Sequence, residues 1–375
     1  MCKIFQLICS IQLGGAEVVA FNLSEFCKTD DSQNFEFIIV ELHQTRDNYS
    51  IEKKHDLRNK NIRILSLCGY SKSIALLIGP FILTYHLLKE KPNIIHSHTD
   101  LPDLLLSNTK RIFSFLHIKF PKIVRTIHNT VLWPTHRILG KYAETAFIDD
   151  WVVGVSDGAL ESYRNLRIKN NLSVSVHQRI IYNGCIIPNI KNHPFKIANN
   201  KINIAFCGRL EEQKGIDILI ARINEINCKF SDNFLFHIIG SGTFSNEVLK
   251  LSKENNNVLV YDSVPNIADK LYAFDFLIIP SRFEGLVLIS IEASFSKVPV
   301  IATFAPGLSE TLPTNWPLMF NLANKDELLI IFDKILKHDF DLESLKNQAY
   351  LFVANKFSHS NMINAYTKLY LQINE

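Results

Sequence analysis

INIAFCGRLEEQKG (Ile202–Gly215) runs from an apolar, strand-like segment into a glycine, two cations and a second glycine, and its reading decides the fold. Ile202–Cys207 suits a buried strand, and a helical period begins at Gly215. The turn from a parallel strand into a helix presents backbone N–H groups to an anion, and Arg209 and Lys214 at that turn suit a diphosphate. About seventy residues further on, PSRFEGLVLISIEAS (Pro280–Ser294) repeats the plan with acids: a strand over Phe276–Pro280, then Glu284 and Gly285, then a helix carrying Glu292. Carboxylates repel phosphate but accept from sugar hydroxyls, and backbone amides from Gly285 to Leu288 can donate to the same ligand. Together the two stretches read as a nucleotide-sugar site.

Outward from these stretches, strand-like runs alternate with helix-length amphipathic runs to both ends of the chain, the pattern of parallel α/β domains. The first half offers strands at Lys3–Ile11, Phe35–Val40, Ile62–Leu67, Asn93–His96, Ile123–Ile127, Trp151–Val155 and Arg179–Ile181. The second offers Ile202–Cys207, Phe234–Ile239, Val258–Tyr261, Phe276–Pro280 and Val298–Ile301. The polar stretch Pro188–Lys201 divides the two sets and reads as a linker. The expectation is two Rossmann-like domains, 1–187 and 188–358, that hold ligands at strand C-termini, followed by a terminal helix within 359–375.

At 47% hydrophobic and 21% charged, the 375 residues are ordinary globular material, enough for two cores. The seven cysteines form no C-x-x-C pair, and Cys9, Cys207 and Cys228 lie in apolar runs, which favours free thiols in a reducing cytoplasm. Met1–Ile11 lacks a basic leading segment and leads straight into Gly14-Gly15, so it reads as a first strand rather than a signal peptide. Ile74–Leu88 is the longest other apolar stretch, but Gly79-Pro80 interrupts it and it falls short of the ~20 residues of a spanning helix. A soluble or peripheral protein is expected.

Charge is unevenly spread: residues 1–190 hold 22 Lys/Arg against 17 Asp/Glu, and 191–375 hold 18 against 20. No acid lies between Asp103 and Glu144, while seven cations, Lys110, Arg111, Lys119 and Lys122 among them, interleave with Phe113, Phe115, Leu116, Ile118 and Phe120. That composition suits a segment resting on an anionic bilayer, and equally a core helix and strand with a solvated basic face. No nucleic-acid-binding motif accompanies it.

Phe206-Cys207-Gly208-Arg209-Leu210 with Lys214-Gly215, and Pro280-Ser281-Arg282-Phe283-Glu284-Gly285-Leu286 through Glu292-Ala293, resemble the two signatures of family 4 retaining glycosyltransferases of GT-B fold. Further matches follow in the family's order: Gly14-Gly15-Ala16-Glu17, His96-Ser97-His98, Thr126-Ile127-His128, Val155-Ser156, Tyr182-Asn183-Gly184 and Gly307-Leu308-Ser309-Glu310. The resemblance implies that Arg209 and Lys214 bind the donor diphosphate, Glu284 contacts the donor sugar, Glu292 holds the ribose and His128 approaches the reacting centre. It implies that the terminal helix crosses back to the first domain. It also implies front-face attack in which the leaving phosphate takes the acceptor proton. Gly14, Gly15, Gly208, Val264, Gly285, Leu286 and Val287 complete the expected donor-binding set.

Gly14-Gly15 lacks the full G-x-G-x-x-G spacing of a dinucleotide fingerprint, so a dehydrogenase is disfavoured, and a plain tight turn competes with a role in ligand approach. His98, Asp100 and Asp103 are placed on the acceptor side, with helix capping the competing role for Asp100. The acidic doublets Asp30-Asp31 and Asp149-Asp150 lack a third ligand, so no obligatory metal is expected. The expected reaction moves a hexose or N-acetylhexosamine from a UDP-sugar to a lipid-linked saccharide at the inner face of the membrane. A nucleotide-sugar epimerase and a catalytically silent binding subunit are the alternatives.

Overall fold

The computed structural model describes residues 2–12, 14–26, 35–134, 136–230 and 233–375. Its elements are strands β1 (Cys2–Ile8), β2 (Phe35–Glu41), β3 (Arg63–Ser66), β4 (Ile94–His98), β5 (Lys122–Ile127), β6 (Trp151–Gly154), β7 (Gln178–Ile180), β8 (Ile202–Cys207), β9 (Phe234–Ile239), β10 (Val258–Tyr261), β11 (Phe276–Ile279), β12 (Val300–Thr303) and β13 (Met319–Phe320). The α-helices are α1 (Gly15–Phe26), α2 (Asn48–Asn59), α3 (Lys72–Glu90), α4 (Asp100–Phe115), α5 (Arg137–Glu144), α6 (Asp157–Lys169), α7 (Ile216–Phe230), α8 (Ser245–Glu254), α9 (Leu288–Phe295), α10 (Lys325–Leu336), α11 (Leu342–Lys356) and α12 (His359–Asn374).

Two sheets result, with orders β3-β2-β1-β4-β5-β6-β7 and β10-β9-β8-β11-β12-β13, parallel at every pairing. Parallel sheets are covered on both faces, which is why their strands read as near-continuous apolar runs and why each expected strand is present. The two-residue β13 is too short to leave such a signal. In each sheet the strand order reverses once, between β1 and β4 and between β8 and β11, and those reversals are where α/β sheets place ligands.

The chain divides into one unit of Met1–Asn183 with Ser360–Glu375, and a second of Gly184–His359. The second unit starts at Gly184 because Cys185 pairs with Ser358: the Cys185 amide donates to Phe357 and the His359 amide to Cys185. Residues 188–201 pack onto the second sheet, with Phe195 buried beside Phe274 and the Asn189 amide bonded to the Asp269 carboxylate. In the first unit, Met362, Ile363, Tyr366, Leu369, Tyr370 and Ile373 of α12 are buried against Ile4, Val19, Phe37, Ile94 and Val124.

Gly79 and Pro80 do not break α3. Gly79 lets the helix pack against Leu105 of α4, where any added Cβ would come within 2.7 Å, and Thr84 donates to the Pro80 carbonyl.

The first unit also encloses a charge cluster. Arg125 of β5 is 1% exposed and reaches Asp103, Glu144 and Asp150, while Arg167 shares Glu144. The planar guanidinium of Arg125 lies over Phe147 and ties α4, α5 and the approach to β6 onto one strand.

Candidate active site

In the second unit, the loops after β8 and β11 interlock at the strand reversal. Gly215 has φ 69°, and a side chain there would strike the Pro280 carbonyl; Gly307 has φ 76° and lies against the carbonyls of Glu284 and Gly285. Only glycine combines that conformation with that approach. Across the contact, the Arg282 amide donates to the Gln213 carbonyl, the Gln213 side chain donates to the Phe283 carbonyl, and Arg282 forms a bidentate pair with Asp217 at 2.7 Å.

This lacing brings Lys214 to Glu284. Lys214 Nζ lies 2.6 Å from Glu284 Oε1, which also accepts from Ser281 Oγ at 2.7 Å. Arg209 is exposed and donates to Gln213 Oε1. The two expected cations and the first expected carboxylate thus share one loop system.

Glu292 is different. It projects from α9 beside Cys185 and Cys207, and among the described residues its carboxyl has no hydrogen bond or ion pair. Burial pushes its pKa up to about 7. An unpartnered carboxyl one turn into a helix is a poor structural feature and a good acceptor for ligand hydroxyls. Nearby, Gly285, Leu286 and Val287 form a buried segment, and α9 starts without a side-chain cap, so its first amides have no side-chain acceptor. Gly208 spends its amide on the Ile239 carbonyl, and Val264 packs partly buried on the core after β10.

In the first unit, the ends of β1, β4 and β5 carry a directional polar chain. Gln6 Nε2 donates to Tyr370 Oη, so Gln6 Oε1 accepts from His98 Nε2 at 2.7 Å. His98 then carries its proton on Nε2, and its Nδ1 accepts from His128 Nε2 at 3.0 Å. This network leaves the lone pair of His128 on Nδ1. Beneath it, the Tyr370 hydroxyl donates to His96 Nδ1 at 2.6 Å, His96 Nε2 donates to Thr126, and Thr126 meets Tyr366. Burial holds His128 down to about 3 and His96 and His98 well below the ordinary histidine range, so all three are neutral.

Asp100 is not a helix cap. Its carboxylate accepts from the Trp133 amide and so anchors the loop that follows His128, and burial raises its pKa to about 6. Thr99 before it takes φ 79°, a strained conformation for a β-branched residue at the turn out of β4. Asp103 is corrected: it is 4% exposed and bound by Arg125, so it holds the fold and does not face an acceptor. At the other loop, the buried Glu17 side chain lies against Gly14, in the space a Cβ there would need.

The four expected membrane cations separate. Lys119 and Lys122 are exposed, but Lys110 is half-buried and its pKa is lowered by desolvation. Arg111 donates to the Tyr142 carbonyl and Thr145 and stacks on the Tyr142 ring, so its charge serves the α4–α5 contact. Gln213, Ser281 and Arg282 lie inside the quoted motifs without a role read for them, and Gln6, Asp217, Tyr366 and Tyr370 lie outside the motifs. Gln6 alone left a signal, as a polar residue inside an apolar strand.

Two parallel α/β units with loop sites at the strand reversals define a GT-B architecture. Solved structures with that fold cover nearly the whole chain: Anabaena Alr3699/HepE in complex with UDP-glucose has a TM-score of 0.76 at 16% identity, covering 98% of this chain and 99% of its own. The lipopolysaccharide outer core galactosyltransferase WaaB has a TM-score of 0.69 at 15% identity, with 98% and 99% covered. Residues 201–337 match the family described as glycosyl transferases group 1. An uncharacterized 41.2 kDa protein of the Klebsiella pneumoniae cps region is 26% identical, with 95% of this chain and 96% of its own covered. The O-antigen biosynthesis glycosyltransferase WclY of Escherichia coli is 25% identical, with 74% and 78% covered. The match to the group 1 glycosyl transferases thus lies within the second unit, and the chain as a whole has the GT-B fold and is similar to glycosyltransferases over most of its length.

Proposed function

We propose that the protein transfers a hexose or N-acetylhexosamine, of the galactose, glucose or N-acetylglucosamine type, from a UDP-sugar to a lipid-linked saccharide during bacterial surface polysaccharide (O-antigen) synthesis. The observation that carries this reading is Glu292, a desolvated carboxyl without a hydrogen-bond or ion-pair partner among the described residues, on the helix that follows the laced Lys214–Glu284 loops. A ribose diol supplies the donors that Glu292 lacks, and a diphosphate supplies the charge that Arg209 and Lys214 would meet. The UDP and UDP-glucose bound by HepE, and the cps and O-antigen settings of the relatives, support the choice of donor and pathway.

Transfer proceeds with retention and no obligatory metal. The acceptor oxygen bonds to the anomeric carbon on the face from which the diphosphate departs, and the acceptor proton passes to the leaving phosphate oxygen. Arg209, Lys214 and the start of α9 stabilise the charge that gathers on the diphosphate. Glu284 contacts the sugar, and His128, held neutral, offers Nδ1 to a sugar hydroxyl. The acceptor's lipid places the protein peripherally on the inner face of the cytoplasmic membrane.

Incubation with UDP-sugars alone, then with a lipid-pyrophosphate saccharide, tests the reading. Acceptor-dependent release of UDP with a lengthened lipid-linked product is expected. A changed UDP-sugar without acceptor would establish an epimerase, and UDP-sugar binding without turnover a silent binding subunit.

A further inference from the structure

The inner face of α3 is occupied by Ala75, Gly79, Pro80, Leu83, Thr84 and Leu87, all buried. The outer face is as apolar as the inner one. Ile74, Leu77, Ile78, Phe81, Tyr85 and Leu88 are all exposed, with Leu77 at 74% and Phe81 at 65%. Their spacing keeps them on one side of the helix over about 21 Å, at 1.5 Å per residue. A continuous exposed apolar stripe on a folded domain marks an interaction surface.

The charges around the stripe identify what covers it. No acid lies on the exposed face, and Lys72 and Lys89 stand exposed at its two ends. The one acid of the helix, Glu90, is held by Arg63 and Lys3. Beyond the C-terminal end, a cavity of about 670 Å³ joins Leu88 and Lys91 to Ile118, Lys119, Phe120 and Lys122, with Glu375 also on its wall. The cations of the 119–122 segment thus continue the α3 surface. Two copies packing antiparallel through these stripes would set Lys72 of each against Lys89 of the other. An anionic bilayer accepts the apolar stripe and neutralises both ends.

We propose that α3 lies flat on an anionic membrane surface, with the stripe from Ile74 to Leu88 among the lipid chains and Lys89, Lys91, Lys119 and Lys122 at the headgroups. This deepens the membrane reading above and rests on it, while naming a different element from the basic 108–141 segment as the main contact. The helix cannot also span, because its inner face from Ala75 to Leu87 is committed to α4 and the first core.

Flotation of the full chain with vesicles of phosphatidylglycerol and phosphatidylethanolamine tests the proposal, with phosphatidylcholine vesicles as control. The wild type should float with the anionic vesicles, and Leu77→Gln with Phe81→Gln should cut the bound fraction at least fivefold at all salt concentrations. Lys89→Ser, Lys91→Ser, Lys119→Ser and Lys122→Ser together should cut binding most at low salt and leave a smaller bound fraction that changes little with salt, because the screened attraction is gone. UDP affinity and melting temperature, measured on every variant, should stay unchanged. Equal flotation of wild type and the Leu77/Phe81 variant would overturn the assignment to α3. So would a concentration-dependent dimer that the same variant dissolves, without vesicle binding. Loss of UDP binding in the wild type would instead defeat the transferase reading and leave the vesicle result standing.

Discussion

The two units bring polar groups to the ends of their sheets in opposite ways. In the first, Gln6, His96, His98, Thr126, Tyr366 and Tyr370 form a buried neutral network that fixes one proton position on His128. In the second, Arg209, Lys214, Glu284 and Glu292 are charged or chargeable, the first three on the turns that follow β8 and β11 and Glu292 on α9. The contrast separates two demands. A group that must present one lone pair in one direction is best built from neutral hydrogen bonds in low dielectric. Groups that meet a ligand whose charge changes during reaction need ion pairs that the ligand can reorganise.

The same deletion made in each region should break the two apart most sharply. Arg125→Met leaves Asp103, Glu144 and Asp150 facing one another in the core, and should destabilise the first unit by about 3–5 kcal/mol. Calorimetric scanning should show that transition move down by many degrees. Lys214→Met removes a cation from a partly exposed pair, and should leave melting nearly unchanged while weakening UDP binding by about 1.5–3 kcal/mol in titration calorimetry. Equal melting shifts in the two variants would erase the distinction between fold and site.

Glu292 sharpens the comparison through pH. Its folded pKa is raised to about 7, so its contribution to stability is fully present below the unfolded carboxyl range and is lost as pH rises through about 7. Ligand hydroxyls need the carboxylate, so UDP affinity should rise as pH climbs from 6 to 8, by up to tenfold per unit on the acid side. In Glu292→Gln that rise should vanish; a slope that survives would assign it to another group.

The smallest effect belongs to the neutral network. Because His128 is depressed to about 3, the folded state takes up no proton there across the physiological range. Its stabilising contribution is present above the unfolded histidine pKa near 6.5 and is lost as pH falls toward 3. Gln6→Leu removes the acceptor that fixes His98, and should lower turnover about twofold to tenfold with UDP affinity unchanged. A parallel loss of UDP affinity would mean that Gln6 supports the fold rather than the direction of one hydrogen bond.

Most of the fold was legible because fully covered strands need apolar runs, and the candidate site of the second unit was legible as a cluster because glycines, cations and acids crowd two short loops that the structure brings into contact. The charge cluster was not: Asp103, Arg125, Glu144 and Arg167 come from separate elements, and nothing local marks them as partners. Asp103 was misplaced for that reason. The α3 surface was hidden differently, since Ile74–Leu88 is apolar all round and only the packing of Gly79 on Leu105 tells inside from outside. Gln6 was visible as an oddity in its strand, but its meaning depends on Tyr370, 364 residues away.

That distance also orders events at the ribosome. Residues 362–373, which close the first core over Ile4, Val19, Phe37 and Ile94, are synthesised only after the entire second unit. While residues 184–359 are being made, the face of the first sheet that α1 shares with α12 lacks the second of its two helices, and the nascent protein carries an open greasy flank. The half of the molecule that begins first is finished last, so stalls or truncations near the end of translation should be felt chiefly as misfolding of its beginning.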